Sequence, residues 1–198
     1  MAISYRPITS EEFHDFFLSN SYGFGRDFDP SAPWLEGLRT YGELDRSTAA
    51  FDGDTIVGTA GIYSFDMTVP GATVPTAGVT WVSVRPTHRR KGVLSGMMRT
   101  QLDHIRERGE CLAALWASEA PIYGRFGYGL AAEGVEMTIQ RTRTGLRHLV
   151  PFSGSTRFVT REEALAAWPA IYDCVRVKTP GMITRPPHWW SNRHLTEF

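Results

Sequence analysis

Residues 81–94, Trp81-Val82-Ser83-Val84-Arg85-Pro86-Thr87-His88-Arg89-Arg90-Lys91-Gly92-Val93-Leu94, decide the fold. Val79 to Val84 is a compact β-prone run, and Arg85 to His88 has the composition of a turn. Val93, Leu94, Met97, Met98, Leu102 and Ile105 then recur at helical intervals. The spacing predicts a strand, a basic turn and a helix from about Gly92 to Glu107. Gly109 ends that helix, and Leu112 to Trp116 reads as a short buried strand. A strand, helix, strand order implies a right-handed crossover onto a parallel neighbour.

Four of the 21 Lys and Arg residues fall between Arg85 and Lys91, just before the helix. The first backbone N–H groups of a helix have no intrahelical acceptor, and the helix dipole places positive charge at that end. Arg89, Arg90, Lys91, Gly92 and Val93 therefore suit an anion, with Gly92 removing side-chain bulk where a diphosphate approaches the main chain. A solvated basic turn between strand and helix is the plainer reading of the same residues. A Walker A loop is excluded, because no Gly-rich run ends in Gly-Lys-Ser/Thr. Gly124, Gly127 and Gly129 follow the crossover helix instead of opening it, which argues against a dinucleotide fingerprint.

Working outward toward the N-terminus, Ile3 to Ile8 alternates as a strand. Thr9 and Glu12 have capping-box spacing ahead of Phe13, Phe16 and Phe17, which predicts a helix over Glu11 to Asn20. Ser21 to Ser31 reads as an exposed loop leading into a short helix through Trp34, Leu35 and Leu38. The runs Ser47 to Phe51 and Thr55 to Phe65 flank Asp52-Gly53-Asp54, a hairpin signal. Met67 to Val69 and Val74 to Thr80 continue the strand-rich region around Pro70-Gly71.

Toward the C-terminus, Ala120 to Phe126 predicts a short helix and Val135 to Gln140 a strand. Residues 1–142 thus form an α+β domain, with a mainly antiparallel sheet carrying a parallel pair and flanking helices. Residues 143–159 read as a connector, rich in basic residues near Arg143, Arg147 and His148. Thr160 to Glu163 repeats the capping-box pattern ahead of Ala164 to Val177, which Pro169 bends or divides. The aromatic stretch within 160–198 reads as the beginning of a second domain or as a packing tail.

Lys plus Arg equals Asp plus Glu at 21 each, so the formal net charge is zero and nucleic acid is not an expected partner. No run is long and apolar enough to span a bilayer, and Met1 to Pro7 lacks a secretory leader pattern, so a cytoplasmic location is expected. Cys111 and Cys174 are the only cysteines, and neither a disulfide framework nor a metal site is expected.

The stretch Trp81 to Leu94, together with Ile122-Tyr123-Gly124-Arg125-Phe126-Gly127-Tyr128-Gly129, resembles the GNAT superfamily of N-acetyltransferases. More narrowly it is similar to the enhanced intracellular survival family, with Leu94 departing from the superfamily's small residue at that position. The resemblance implies a GNAT fold whose central parallel strands splay, acetyl-CoA as cosubstrate and no metal. Val82 and Val84 are then expected to contact the pantetheine arm, Arg89 to Val93 the diphosphate, and Ser118 the cofactor mouth. The acceptor implied is an amine on a small molecule such as an aminoglycoside, or on a peptide or protein lysine. Full-length members carry a second acetyltransferase-like domain and a sterol-carrier-like domain and assemble as hexamers, so a homo-oligomer is expected of a full-length relative.

By the same resemblance Tyr123 donates the proton to the leaving thiolate, while its plain reading is an aromatic packing residue. Phe24, Trp34 and Trp81 are candidates for an amine-ligand pocket, with core packing as their alternative. Asp27, Asp29 and Glu119, and the terminal carboxylate of Phe198, are candidates for cation recognition or proton relay. The competing function is a noncatalytic acyl-CoA-binding regulatory or assembly module.

Overall fold

The computed structural model describes residues 2–145 and 153–191. Strands β1 (Ser4–Pro7), β2 (Thr48–Asp52), β3 (Thr55–Val69), β4 (Ala72–Val84) and β5 (Leu112–Leu115) lie in that order across one sheet. The first four pair antiparallel, and β5 runs parallel to β4 from Thr76↔Leu112 to Val79↔Leu115. Among the described residues the helices are α1 (Phe13–Gly23), α2 (Pro33–Tyr41), α3 (Val93–Glu107), α4 (Arg161–Arg176) and the single turn α5 (Pro187–Trp189).

The apolar periodicities decide which face each helix covers. Phe13, Phe16 and Phe17 of α1 and Leu35 and Leu38 of α2 pack with Ile8, Phe51 and Ile56 on one face of the sheet. Val93 and Met97 of α3 pack with Ala50, Val57 and Ala60 on the other. Phe13 and Phe16 are fully buried, each contributing about 1.5–3 kcal/mol of apolar transfer.

Several expectations are corrected in detail. Pro70-Gly71, expected between two strand runs, is the tight turn joining β3 and β4, but β4 starts at Ala72, earlier than the expected Val74. The stretch expected as one short helix forms two 3₁₀ turns, Ala120–Ile122 and Gly124–Phe126. Strand β5 is a half-exposed edge, not a buried strand, and Trp116 beyond it is 91% exposed. Val135 to Gln140 makes no strand: Val135, Met137 and Ile139 are all exposed. Alternation supplies an apolar face but no hydrogen-bond partner, and the β5 edge, though open among the described residues, is not engaged.

The capping boxes split in the same way. At Thr160 the box is complete, with Oγ1 accepting from Glu163 N and the Glu163 carboxylate accepting from Thr160 N. At Thr9 only half forms: Glu12 accepts from Thr9 N at 2.9 Å, and α1 starts later than expected.

After α4 the chain returns to the sheet. Thr68 N donates to Met182 O, and Gly181 N and Thr184 N donate to Thr68 O and Asp66 O. This places Met182 to Thr184 along the part of β3 that extends past β2. Trp189 then stacks edge-on against Tyr63 and Phe65, with centroids 5.0 and 4.9 Å apart.

Two distant turns are joined by a buried ion pair. Arg46, fully buried, donates through both terminal nitrogens to the Glu110 carboxylate, and its Nη1 also donates to Ser64 Oγ at 2.6 Å. Cys111 and Cys174 are free and exposed. Among the described residues no helix is long and apolar enough to cross a membrane.

Candidate active site

Strand β4 leaves its neighbours at one place. Gly61 pairs with Thr80 and Thr59 with Ser83, so Trp81 and Val82 together face Ala60 in a bulge. Trp81 has φ 53°, a left-handed conformation that a large side chain rarely adopts. Pairing with β5 has already ended at Val79↔Leu115. From that point to Val84 the edge of β4 that faced β5 has no strand beside it among the described residues, and the two parallel strands part as expected.

The Trp81 indole explains how the bulge persists. It meets Phe17 and Tyr63 edge-on at 5.1 and 5.0 Å, with Phe16 at 6.2 Å. It also lies over Gly61, where a Cβ would come within 2.3 Å of the ring. The half-buried ring thus packs with α1 and β3, the packing alternative to its place in an acceptor pocket.

Beyond Val84 the basic turn is anchored on both sides. Arg85 Nε donates to Ser19 Oγ (3.1 Å), and Arg89 Nη2 donates to the carbonyl of Gly23 at the end of α1 (2.9 Å). A guanidinium there complements the negative end of the helix and still has other donors available. His88 Nε2 lies 3.2 Å from Asp52 Oδ2, tying the turn to the β2–β3 hairpin. Arg90 and Lys91 are exposed, and Arg90 has φ 65°.

Gly92 sits at the N-cap of α3 with φ 80°, and a Cβ there would meet nothing within 4 Å. The backbone conformation therefore demands glycine, and the open space in front of it is where an anion would approach. The first helical hydrogen bond runs from Gly96 N to Gly92 O, leaving Val93, Leu94 and Ser95 N–H without intrahelical acceptors. Val93 is buried, and Leu94 packs beside it on the cluster with Ala50 and Val57. The large residue at 94 is thus accommodated without disturbing the turn.

Because β4 and β5 are parallel, the segment after β5 emerges at the same end of the sheet as Val84 and the basic turn. It carries Ser118 and Glu119, both exposed, and then Tyr123, half-buried. Burial pushes the Tyr123 hydroxyl above the ordinary phenol value, so it keeps its proton at neutral pH. Tyr128 meets its ring edge-on at 5.9 Å. Burial first, then the neighbouring Tyr123, push the Tyr128 hydroxyl up to about 12.

The α1–α2 loop begins where Arg89 holds Gly23. Phe24 is 43% and Trp34 51% exposed, and Asp27 is exposed between them. Asp29 accepts from Ser31 N and Oγ at 2.8 and 2.6 Å, which holds its carboxyl below the usual range and commits it to the turn before α2. The Phe198 carboxylate, like Arg147 and His148, lies outside the described residues. A groove of about 550 Å³ lined by Ser64, Asp66, Pro75, Arg108 and Arg185 lies at the opposite end of β4, against the returning tail. No group of three or more His, Cys, Asp or Glu side chains among the described residues could hold a metal ion.

Residues 4–131 match the acetyltransferase (GNAT) domain family. The chain is 47% identical over 154 residues to an uncharacterized N-acetyltransferase of Streptomyces avermitilis, covering 76% of this chain and 37% of that protein. It is 34% identical over 198 residues to N-acetyltransferase Eis of Mycobacterium tuberculosis, covering 96% of this chain and 49% of the relative. The crystal structure of Eis1 from Mycobacterium abscessus superposes with a TM-score of 0.71 at 33% identity, over 96% of this chain and 46% of that one. The chain spans about half the length of these relatives or less. With the bulged β4, the parting strands and the basic turn, these matches show that the chain belongs to the GNAT acetyltransferase family, as an Eis-like N-terminal domain.

Proposed function

We propose that this chain provides the acetyl-CoA-binding part of an N-acetyltransferase that moves an acetyl group to a primary amine. The observation that carries this reading is the parting of β4 from β5 at the bulge, immediately ahead of a basic turn and a helix N-terminus. The residues fit the cosubstrate. The backbone at Val82 and Val84 lines the parted edge for the pantetheine arm. Arg89, Arg90, Lys91, Gly92 and Val93 receive the diphosphate through charge and free N–H groups, and Ser118 stands at the mouth.

Binding energy from that remote handle fixes the thioester beside the acceptor. A neutral amine nitrogen attacks the thioester carbonyl, the C–N bond forms and the C–S bond breaks. The departing thiolate takes its proton from the Tyr123 hydroxyl, which burial keeps protonated, and the proton that the amine nitrogen loses passes through water to return Tyr123 to its neutral form. Phe24 and Trp34 offer apolar faces and Asp27 a carboxylate to a cationic amine, such as an aminoglycoside or a lysine side chain. Residues 1–142 form the unit that binds acetyl-CoA, 143–159 connect, and 160–198 begin a second domain or serve as a packing tail, the contacts of Met182 to Thr184 and Trp189 with β3 supporting the tail reading. A homo-oligomer is the assembly proposed for a protein that carries this unit together with the rest of the family's length.

The test is acetyl transfer by the full-length protein across aminoglycosides, polyamines and lysine peptides, with Tyr123→Phe beside the parent. The variant is expected to keep its acetyl-CoA affinity and lose roughly 10²-fold in kcat. Equal turnover removes Tyr123 from the acid role. Binding without turnover by the parent favours a noncatalytic acyl-CoA module instead.

A further inference from the structure

From the hydrogen bonds beneath the bulge we infer that Asn20 and Thr59 are positioning residues. They aim the Val82 N–H at the thioester carbonyl by clamping the other end of the same peptide unit. This inference rests on the acetyl-transfer reading above.

The Trp81 carbonyl receives two hydrogen bonds, from Asn20 Nδ2 at 2.9 Å and Thr59 Oγ1 at 2.7 Å. Thr59 is fully buried, and every capacity of its hydroxyl is used. It accepts from Asn20 Nδ2 at 3.0 Å and lies 2.9 Å from Ser83 Oγ. A hydroxyl has one proton and two acceptor sites. With that proton given to Trp81 O, Ser83 must be the donor in their contact. The same count fixes the Asn20 amide, since only its NH₂ end can serve a carbonyl oxygen.

The clamp approaches from one side only. Asn20 belongs to α1, and Thr59 to β3 on the face that α1 covers. In a planar trans peptide the C=O and the following N–H point in opposite directions. A Trp81 carbonyl held toward β3 and α1 therefore turns the Val82 N–H away from them, toward the edge that β5 has left. Neither Trp81 nor Val82 has a partner in the β3–β4 register, so regular pairing does not set the direction of this peptide. The left-handed Trp81 backbone would otherwise relax, because such strain persists only where its surroundings over-determine it. The indole packing holds the Trp81 ring and the two hydrogen bonds hold its carbonyl, so together they supply that determination, and a fixed donor needs no reorganisation when negative charge develops on the carbonyl oxygen.

The experiment uses the full-length protein, acetyl-CoA labelled with ¹³C at the acetyl carbonyl, and infrared difference spectra of the bound thioester. In the parent the carbonyl stretch is expected to move to lower frequency on binding. Asn20→Ala and Thr59→Val are expected to return it toward the free value and to lower kcat roughly tenfold or more. The KM for acetyl-CoA should change little, because the diphosphate turn is untouched. Thr59→Ser, which restores the hydroxyl, should recover both the shift and the rate. An unshifted carbonyl in a parent that binds acetyl-CoA overturns the inference and leaves the binding reading intact. So does a parent-like shift in both Asn20→Ala and Thr59→Val, or a Thr59→Ser variant that stays as slow as Thr59→Val. A folded parent that binds no acetyl-CoA overturns both.

Discussion

Arg6 grips the Glu12 carboxylate with two guanidinium nitrogens at 2.8 and 2.6 Å, and Thr9 N adds a third donor. The Arg6 contact, assisted by the Thr9 bond, brings Glu12 down from the ordinary 4.5 to about 2. A folded-state pKa below the unfolded one stabilises the fold above pH 4.5 and loses that contribution as pH falls toward 2. Arg6 is 47% exposed, so screening limits the contribution to about 1 kcal/mol or less. Denaturant titrations at pH 7 and pH 3 are expected to show a smaller acid loss for Arg6→Ala than for the parent. Identical losses would dismiss the pair as a source of acid sensitivity. The spacing of Thr9 and Glu12 pointed to this carboxylate, but not to its main partner, because Arg6 reaches it from a neighbouring strand. The helix start at Gly92 was legible, since the end of a basic turn and the onset of an apolar period are both local properties. At Asn20 and Thr59 it was not, because their shared acceptor is the backbone of a residue far along the chain.

Among the elements, α3 was legible because its apolar period is decided within the helix. The β4 bulge was not, since it depends on what stands across the ladder. Gly61 leaves the space that the Trp81 ring fills, and a Cβ there would lie 2.3 Å from it. Gly61→Ala is expected to push the indole off β3, reset the β3–β4 register and cost about 1–3 kcal/mol through overpacking. Acetyl-CoA turnover should fall with it, while Gly53→Ala in the exposed β2–β3 turn should leave turnover unchanged. Parent-like turnover in Gly61→Ala would show that the bulge does not depend on this fit. The run Val135 to Gln140 marks the opposite limit of pattern reading. Its alternation is clear, yet a strand exists only when an edge pairs with it, and pairing is not encoded in one segment.

For the whole molecule, composition and the order of elements were enough for the α+β class, whereas two long-range fastenings were invisible. One is the Arg46–Glu110 pair, whose partners look like ordinary surface residues in sequence. The other is Trp189, 9% exposed against Tyr63 and Phe65. Trp189→Ala is expected to destabilise the described unit by about 3–5 kcal/mol in equilibrium unfolding. A loss below about 1 kcal/mol would mean that the tail merely rests on the sheet.

The tail contact also sets a clock. Asp66 N donates to Thr184 Oγ1, a partner 118 residues later in the chain. A ribosome adding about 5–20 residues per second takes roughly 6–24 s to make the intervening segment. Throughout that interval the outer half of β3 has been synthesised without its covering chain, so translation speed and chaperone supply should govern how much of this protein is recovered in native form.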